Sequence, residues 1–166
     1  MSINKQIIRL LVMDSDGTLT DGKIYYGSET LSILSFSIKD GYGIKNILPQ
    51  HNIEPVIISG RCDPALERRA ADFGVALLYQ SVTDKESCLR KVISDKGFTL
   101  SQVAYIGDDL NDYDCLSVCG ISGCPADAVE KIKPSCCFIS RYKGGHGAVR
   151  EFIDWLVDAE GDDLNE

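Results

Sequence analysis

Two aspartate clusters, one serine and one lysine are the residues of this sequence whose types and order could together do chemistry. The clusters are DSDGT at 14–18 and GDDLND at 107–112, and Ser59 and Lys85 lie between them. Clustered carboxylates repel one another unless a cation lies between them, and a hard cation with oxygen ligands, most simply Mg²⁺, meets that need. A hydroxyl and an ammonium beside it could hold phosphoryl oxygens. The set therefore predicts phosphoryl chemistry with Mg²⁺ as cofactor.

Each residue has one predicted role in that chemistry. Asp14 would attack phosphorus as the nucleophile and form an aspartyl-phosphate. Asp16 would protonate the leaving oxygen as a general acid and later activate water as a base. Ser59 and Lys85 would hold the remaining phosphoryl oxygens. Asp14 and Asp108 would bind the metal through their carboxylates, and Asp16 through its carbonyl oxygen.

None of these pieces is informative alone. Paired aspartates at a strand end usually form turns or cap helices, Ser59-Gly60 alone predicts a turn, and a lone lysine is usually solvated. The cluster at 108–112 could likewise cap a helix. Their joint occurrence in this order, at or just after the ends of predicted strands, is what favours a site.

The elements that must position these residues alternate between strands and helices. Apolar runs predict buried strands at 7–13, 54–59, 75–79 and 103–107. Helical spacing predicts helices around 42–50, 64–73, 84–96, 111–118 and 147–157. This alternation is typical of an α/β fold, a three-layer Rossmann-like open parallel sheet with helices on both faces. In such sheets ligands lie at the carboxyl ends of the strands, where the polar residues fall.

One stretch after the first strand breaks the alternation. Apolar residues recur in two strand-like runs, which predict a short β-hairpin at about 23–38: Ile24 and Tyr26, then Leu31, Ile33, Phe36 and Ile38. The insertion is too short for a cap domain. A hairpin with apolar residues on both faces would expose them unless something covers it, which predicts a subunit interface.

Length and composition predict a single domain over residues 1–158, followed by an acidic tail at 159–166 that is expected to fray. No apolar run reaches the roughly 20 residues needed to span a membrane, and the amino terminus resembles a first strand more than a signal peptide. A cytoplasmic location is the resulting expectation.

The net charge of −8 argues against nucleic acid as a partner, because binding a phosphate backbone needs clustered Lys and Arg. A local basic pocket could still hold a small anion. The seven cysteines are odd in number and lack the spacing of zinc sites, so reduced, mostly buried thiols are expected.

The motifs carry a resemblance to a known family. Asp14-x-Asp16-Gly-Thr, Ser59-Gly-Arg, Lys85 and Gly107-Asp108-Asp109-x-x-Asp112 resemble the four motifs of the haloacid dehalogenase superfamily. By this resemblance Asp109 and Asp112 support the metal ligands without binding the ion. The segments LTDGKIYYG, SIKDGYGI and GGHGAVREF are most similar to a capless subgroup that hydrolyses 3-deoxy-D-manno-octulosonate 8-phosphate, in lipopolysaccharide sugar biosynthesis.

The resemblance implies an assembly and a set of substrate contacts. It implies a homotetramer with the hairpins packed at its centre, in which neighbouring subunits and the carboxyl-terminal segment help to close each active site. The implied substrate-binding residues are Ser37, Ile38, Lys39, Asp40, Gly41, Lys45, Gly60, Arg61, Arg69 and Lys85. Ser37 replaces the usual Asn of the family, and Lys39 and Lys45 stand where Arg is common. Lysine keeps the charge but loses the bidentate fork.

Other functions remain open at this stage. The same subgroup includes phosphatases for nine-carbon sugar acid 9-phosphates, although Arg61 favours the eight-carbon substrate. A non-catalytic partner of a cytidylyltransferase would be expected to lose the aspartates that are present here. Phosphotransfer relatives usually carry a cap domain that excludes water. The glycine-rich turn around His146 is either a plain loop or a lip over the site, and Tyr105 is expected to serve packing.

Overall fold

The computed structural model describes residues 7–27 and 32–161. Within these ranges, eight strands form two sheets: β1 Leu10–Met13, β2 Tyr25–Tyr26, β3 Ser32–Ile33, β4 Glu54–Ile58, β5 Leu77–Tyr79, β6 Val103–Ile106, β7 Ile121–Cys124 and β8 Phe138–Ile139. Six of them make a parallel sheet in the order β5-β4-β1-β6-β7-β8. The first strand thus lies between β4 and β6, where the chain changes direction across the sheet, and ligands of open α/β sheets bind at such a point.

In the described part of the chain, α-helices accompany the strands: α1 Ile38–Tyr42, α2 Pro64–Phe73, α3 Lys85–Lys96, α4 Tyr113–Val118 and α5 Ala148–Gly161. Asp63 and Asp84 accept backbone N–H groups at the first turns of α2 and α3, as capping residues do. Gly74 and Gly97 end the same helices in the left-handed conformation. Irregular helical turns at Gly43–Ile47 and Leu48–His51 extend α1.

The two faces of the sheet are buried by different helices. Leu11 and Met13 of β1 face a cluster that includes Phe73 of α2 and Phe152 of α5. Leu10 and Val12 face the opposite cluster, formed with α3 and α4. Alternate residues of one fully buried strand therefore join two apolar layers, which is why its sequence is apolar throughout. The three-layer α/β architecture predicted from the sequence is confirmed.

The outer strands β7 and β8 were not predicted. The sequence of β7, ISGC, lacks a run of β-branched residues, and β8 has only two residues. The reason for glycine is tertiary, because a Cβ at Gly123 would lie 2.9 Å from the ring of Phe152. This segment joins the sheet because it is buried against α5, and not because its residues prefer strands.

The hairpin is present but shorter than the predicted strand pattern. Its strands pair antiparallel at Tyr25–Tyr26 and Ser32–Ile33, and Leu31 lies outside the described residues. The strand-like pattern was wrong at Ile38, which begins α1, because the Ser37 hydroxyl caps that helix. Phe36, expected on an exposed face, instead packs edge-on against Phe73.

Within the described residues, the chain between β1 and β4 consists of this hairpin and helical turns, without a cap domain. None of the helices described is both long enough and apolar enough to cross a lipid bilayer. All seven cysteines carry free thiols, and Cys115 and Cys124 are buried.

Candidate active site

The polar residues singled out in the sequence meet at the carboxyl edge of the sheet. Asp14 follows β1, Ser59 follows β4, Asp108 follows β6 by two residues, and Lys85 begins α3. Because β4 and β6 both pair with β1, their ends bring these side chains to one place. A cleft of about 450 Å³ opens there, lined by Asp14, Asp16, Gly60, Arg61, Asp108, Asp109 and Asn111.

Lys85 is the cation at the base of this cleft. Its Nζ donates to Asp14 Oδ1 at 2.5 Å and to Asp112 Oδ1 at 2.8 Å, and its side chain is almost fully buried. Burial alone would lower the pKa of Lys85, but the charges of Asp14 and Asp112 outweigh it and raise the pKa to about 12. Lys85 therefore stays charged at neutral pH.

Asp112 is a buried carboxylate that holds several parts of the site together by accepting hydrogen bonds from them. Its Oδ1 accepts Lys85 Nζ and, at 2.7 Å, the hydroxyl of Tyr105. Its Oδ2 accepts the backbone N–H groups of Asp108 and Asp109 at 3.1 and 3.3 Å. Oxygens of Asp14, Asp108 and Asp112 lie within 4.8 Å of one another. Because Asp112 already accepts four donors, Asp14 and Asp108 are the carboxylates of this group that can turn to an ion.

Asp14 and Asp108 are buried beside a third carboxylate, which makes their negative charges unfavourable. Burial, and then the charge of Asp112, raises the pKa of Asp14 well above its ordinary value, against the opposing effect of Lys85. Burial also raises the pKa of Asp108 to about 6, although the Thr18 hydroxyl donates to it at 3.3 Å. A divalent cation would relieve this repulsion, and carboxylate oxygens are the ligands that Mg²⁺ takes. The donor set therefore fits a hard divalent cation.

The loop after β1 needs glycine to reach this geometry. Gly17 has a φ of +89°, and a Cβ there would lie within 2.1 Å of Asp108 Oδ2. Thr20 Oγ1 accepts the N–H groups of Gly17 and Gly22, both at 3.1 Å, and so folds the loop back on itself. The DGT sequence is thus explained by close contact with the opposite acidic cluster.

Asp16 lies at the mouth of the cleft and is held by Arg61. Arg61 Nε and Nη2 donate to the two oxygens of Asp16 at 2.7 and 3.1 Å. Arg61 Nη1 donates to Asp63 Oδ2 at 3.1 Å. Ser59 Oγ accepts the backbone N–H of Arg61 at 3.3 Å, which keeps the turn after β4 tight. The sequence predicted Arg61 as a substrate contact, and the structure places it against the predicted acid/base.

The other predicted substrate residues lie outside this cleft. Arg69 lies over the ring of Phe73, with 4.2 Å between its guanidinium carbon and the ring centroid, and Lys45 Nζ donates to the carbonyl of Asp72. Gly41 packs under Phe73, because a Cβ there would lie 2.4 Å from its ring. Ile38 and Lys39 are exposed, and Lys39 lines a separate cleft with His146 and Arg150. The subunit thus brings Gly60, Arg61 and Lys85 together and leaves the remainder near α1, α2 and α5.

The sequence model of the haloacid dehalogenase-like hydrolases matches residues 70–153. A 3-deoxy-D-manno-octulosonate 8-phosphate phosphatase from Yersinia pestis is 39% identical over 153 residues, which cover 92% of this chain and 81% of that protein. One from Haemophilus influenzae is 38% identical over 154 residues, 93% of this chain and 85% of that protein. The chain belongs to the haloacid dehalogenase-like hydrolase family. The predicted resemblance is confirmed.

Solved structures of such hydrolases superpose closely. The Yersinia pestis phosphatase has a TM-score of 0.89 at 40% identity and covers 93% of this chain and 83% of its own. The enzyme from Moraxella catarrhalis, in complex with magnesium ion, phosphate ion and KDO, has a TM-score of 0.89 at 36% identity and covers 92% and 87%. A cobalt-bound Haemophilus influenzae structure has a TM-score of 0.88 at 37% identity and covers 93% and 90%. These relatives are phosphoric monoester hydrolases, the enzyme class predicted from the sequence.

Two residues of this hydrolase site escaped the sequence analysis. Tyr105 was expected only to pack, yet its buried hydroxyl donates to Asp112 beside Lys85. A tyrosine inside an otherwise aliphatic strand could have signalled this, since a buried hydroxyl needs a partner. Asp63, which accepts Arg61, was not singled out, because an aspartate before proline at a helix start already has a reason to be there.

Asp40 is one predicted substrate residue that the structure encloses completely. Its Oδ1 accepts the N–H of Arg150 at 2.8 Å, in the first turn of α5. Its Oδ2 is buried without a hydrogen-bond partner among the described residues. Burial raises the pKa of Asp40 to about 6, against the opposing hydrogen bonds from the backbone of Arg150 and Gly147. Asp40 thus joins α1 to α5, and a role toward substrate stays a prediction.

We expect Asp40→Asn to change how stability depends on pH. A carboxyl whose pKa is higher in the folded state stabilises the fold below its ordinary pKa and loses that contribution as the pH rises through about 6. The loss is on the order of 3 kcal/mol, since one pKa unit corresponds to roughly 1.4 kcal/mol. Urea unfolding from pH 4 to 8 should show a smaller decline in the variant than in the wild type.

The matched control is Asp158→Asn, which removes an exposed carboxylate from α5, the helix that Asp40 contacts. That variant should keep the wild-type pH dependence. Identical declines for Asp40→Asn and the wild type would contradict the assignment.

Proposed function

We propose that this chain hydrolyses a phosphate monoester with Mg²⁺ through an aspartyl-phosphate intermediate. The proposed substrate is 3-deoxy-D-manno-octulosonate 8-phosphate, which would give the free sugar acid of lipopolysaccharide synthesis and phosphate. The observation that carries the proposal is the buried Asp14 carboxylate, paired with Lys85 at 2.5 Å and facing Asp108 across the cleft. A nucleophile, a cation for phosphoryl oxygens and a place for a metal are thereby adjacent.

Asp14 is suited to attack phosphorus in line. The residue is only 4% exposed, so water solvates its carboxylate poorly, and the contact with Lys85 fixes its orientation. Asp14 and Asp108 would hold the metal through their carboxylates, with the main-chain carbonyl of Asp16. When bound, a divalent cation supplies the positive charge that allows an anionic nucleophile to approach a phosphate dianion. Lys85 and Ser59 would bind the other phosphoryl oxygens.

Asp16 is suited to serve the leaving group and then the water. It follows Asp14 by two residues, and its side chain is about one-third exposed at the mouth of the cleft. A proton held there can pass to the bridging oxygen of the ester as the P–O bond breaks. The same carboxylate can then take a proton from the water that hydrolyses the aspartyl-phosphate.

The sugar acid as substrate is supported by the relatives, which carry this activity in their names at about 39% identity. A nine-carbon ulosonate 9-phosphate is the alternative substrate. A non-catalytic role beside a cytidylyltransferase is disfavoured, because the acidic residues and Lys85 are kept in mutual contact. Phosphotransfer is disfavoured by the absence of a cap domain in the described residues.

We further propose a homotetramer of this single-domain subunit, assembled through the hairpin. Large apolar side chains are exposed on and beside it: Tyr25, Tyr26, Ile33, Ile38 and Tyr42. Tyr26 is 81% exposed and Ile38 is 82% exposed, which is more apolar surface than an isolated ribbon normally presents. Such an assembly would also explain why the predicted residues near α1 and α2 lie outside their own cleft, since they could reach that of a neighbour.

Asp14→Asn should abolish turnover, because the amide is a poor nucleophile and a weaker metal ligand. Asp16→Asn should reduce turnover ~10²–10⁴-fold by removing the acid/base. Rapid quench with ³²P-labelled substrate distinguishes them: Asp16→Asn should form and lose the phospho-enzyme slowly, and Asp14→Asn should form none. A tenth of wild-type turnover in Asp14→Asn would rule out the covalent route.

Substrate and metal are tested together by measuring phosphate release from a panel. The panel should hold ulosonate 8- and 9-phosphates and simple sugar phosphates, each with Mg²⁺ and with excess chelator. We expect the highest kcat/KM for the eight-carbon ester and no turnover in chelator, because the charges of Asp14 and Asp108 would then oppose the substrate. Equal turnover in chelator, or a preference for the nine-carbon ester, would reject the corresponding part of the proposal.

The assembly is tested by replacing Tyr26 and Ile33 with Asp, which puts charge where apolar contact is proposed. Light scattering should show a smaller species, with a raised KM for the sugar acid. Phe36 is left unchanged, because it packs against Phe73 within the subunit. Exposed Tyr113, replaced by Asp in the same way, is the control and should keep the assembly. A wild-type monomer with full activity would overturn the proposal.

A further inference from the structure

A chain of hydrogen bonds runs from the hairpin to Asp16. Ser32 in β3 donates from Oγ to Asp63 Oδ2 at 2.5 Å. The same oxygen accepts Arg61 Nη1 at 3.1 Å, and Arg61 in turn donates twice to Asp16. The chain thus joins three segments that are distant in sequence: the hairpin, the turn after β4 and the loop after β1.

Asp63 is the fixed point of this chain. It is 3% exposed, and its Oδ1 accepts the N–H of Ala65 at 2.9 Å at the start of α2. Its own N–H donates to the side chain of Gln80 at 2.8 Å. Although burial opposes its charge, hydrogen bonds from Ser32, Ala65 and Arg61 lower the pKa of Asp63, so that it remains ionised at neutral pH. Backbone and side chain are therefore both held in place.

Arg61 is not buried as Asp63 is, and its side chain is held by ion pairs with Asp16 and Asp63. Its side chain is 36% exposed, and among the described residues Asp16 and Asp63 are the carboxylates that pair with its guanidinium. A long, half-exposed side chain loses rotamer entropy when it is ordered, which opposes a fixed orientation. Asp63 is the second, buried carboxylate that holds the Arg61 guanidinium in place. The guanidinium in turn orients Asp16 by donating to both of its carboxylate oxygens.

We propose that Asp63 is a positioning residue, which together with Ser32 of the hairpin sets the orientation of Asp16 through Arg61. The inference rests on the proposed role of Asp16 as the acid/base. It gives the hairpin a second task, because any shift of β3 against α2 is passed by hydrogen bonds to the carboxylate that handles the proton. Assembly through the hairpin would then steady the proton-transfer step as well as the substrate.

The test separates this positioning from helix capping. Asn and Ser cap helices about as well as Asp, so Asp63→Asn and Asp63→Ser keep the cap of α2 and remove the charge that holds Arg61. We expect kcat for the sugar phosphate to fall about tenfold, a part of the full acid/base effect. KM and the inhibition constant of inorganic phosphate should stay within about twofold, because Asp14, Lys85 and Ser59 would bind the phosphoryl group.

Ser32→Ala should lower kcat by about threefold, and its effect should vanish in the Asp63→Asn background, since groups in one network are not additive. Ser35→Ala, at an exposed position just after the same strand, is the matched control and should retain wild-type kinetics. If the two substitutions lowered kcat independently, so that their effects multiplied in the double variant, the proposed hydrogen-bond chain would be rejected.

A second measurement needs no turnover. The Nε–H signal of Arg61 in ¹H–¹⁵N spectra, assigned from its loss in Arg61→Lys, should shift and broaden in Asp63→Asn and Ser32→Ala but not in Ser35→Ala. A wild type inactive on every ester while this signal behaves as expected would reject the proposed function alone. Unchanged kcat and an unchanged signal in Asp63→Asn, in an active enzyme, would reject the positioning role. A raised KM or phosphate inhibition constant with unchanged kcat would also reject it.

Discussion

The structure depends on keeping several carboxylates together at one buried edge of a sheet. Asp14, Asp108 and Asp112 lie close together, and burial, followed by the charge of Asp112, raises the pKa of both Asp14 and Asp108. Lys85 offsets part of that repulsion through two short contacts. The repulsion that Lys85 does not offset would favour the binding of a divalent cation. The carboxylates whose burial destabilises the fold are therefore the same ones that would prepare the site for a metal and a phosphate.

The three carboxylates differ in their surroundings and therefore in what they can bind. Asp112 faces inward and accepts four donors, so it supports Lys85 and the 108–109 backbone and has little capacity left for a ligand. Asp14 and Asp108 face the cleft, and the glycine at position 17 lets the first loop approach Asp108 closely enough to complete it. The number of donors that each carboxylate already accepts thus separates Asp112, which supports its neighbours, from Asp14 and Asp108, which face the cleft.

A second layer of control surrounds Asp16. Its side chain, the proposed acid/base, is more exposed than that of Asp14, and it is oriented by two hydrogen bonds from the Arg61 guanidinium. That guanidinium is anchored on the cap residue of α2, which also receives the hairpin. The described residues between β1 and β4 form no cap domain, so the hairpin is the element that reaches the mouth of the cleft through this hydrogen-bond chain.

The sequence by itself determined the alternation of strands and helices, the family and the residues at the strand ends, because period and motif order are local properties. The tertiary structure decided the rest. Strands β7 and β8 form because α5 buries them, with Gly123 making room for Phe152. Ile38 begins a helix because Ser37 caps it. Asp40 accepts the N–H of Arg150 and so joins α1 to α5, a contact that its sequence position does not reveal. Tyr105 and Asp63 owe their contacts to the fold, because the Tyr105 hydroxyl donates to Asp112 and Asp63 joins Arg61 to Ser32, which is 31 residues away.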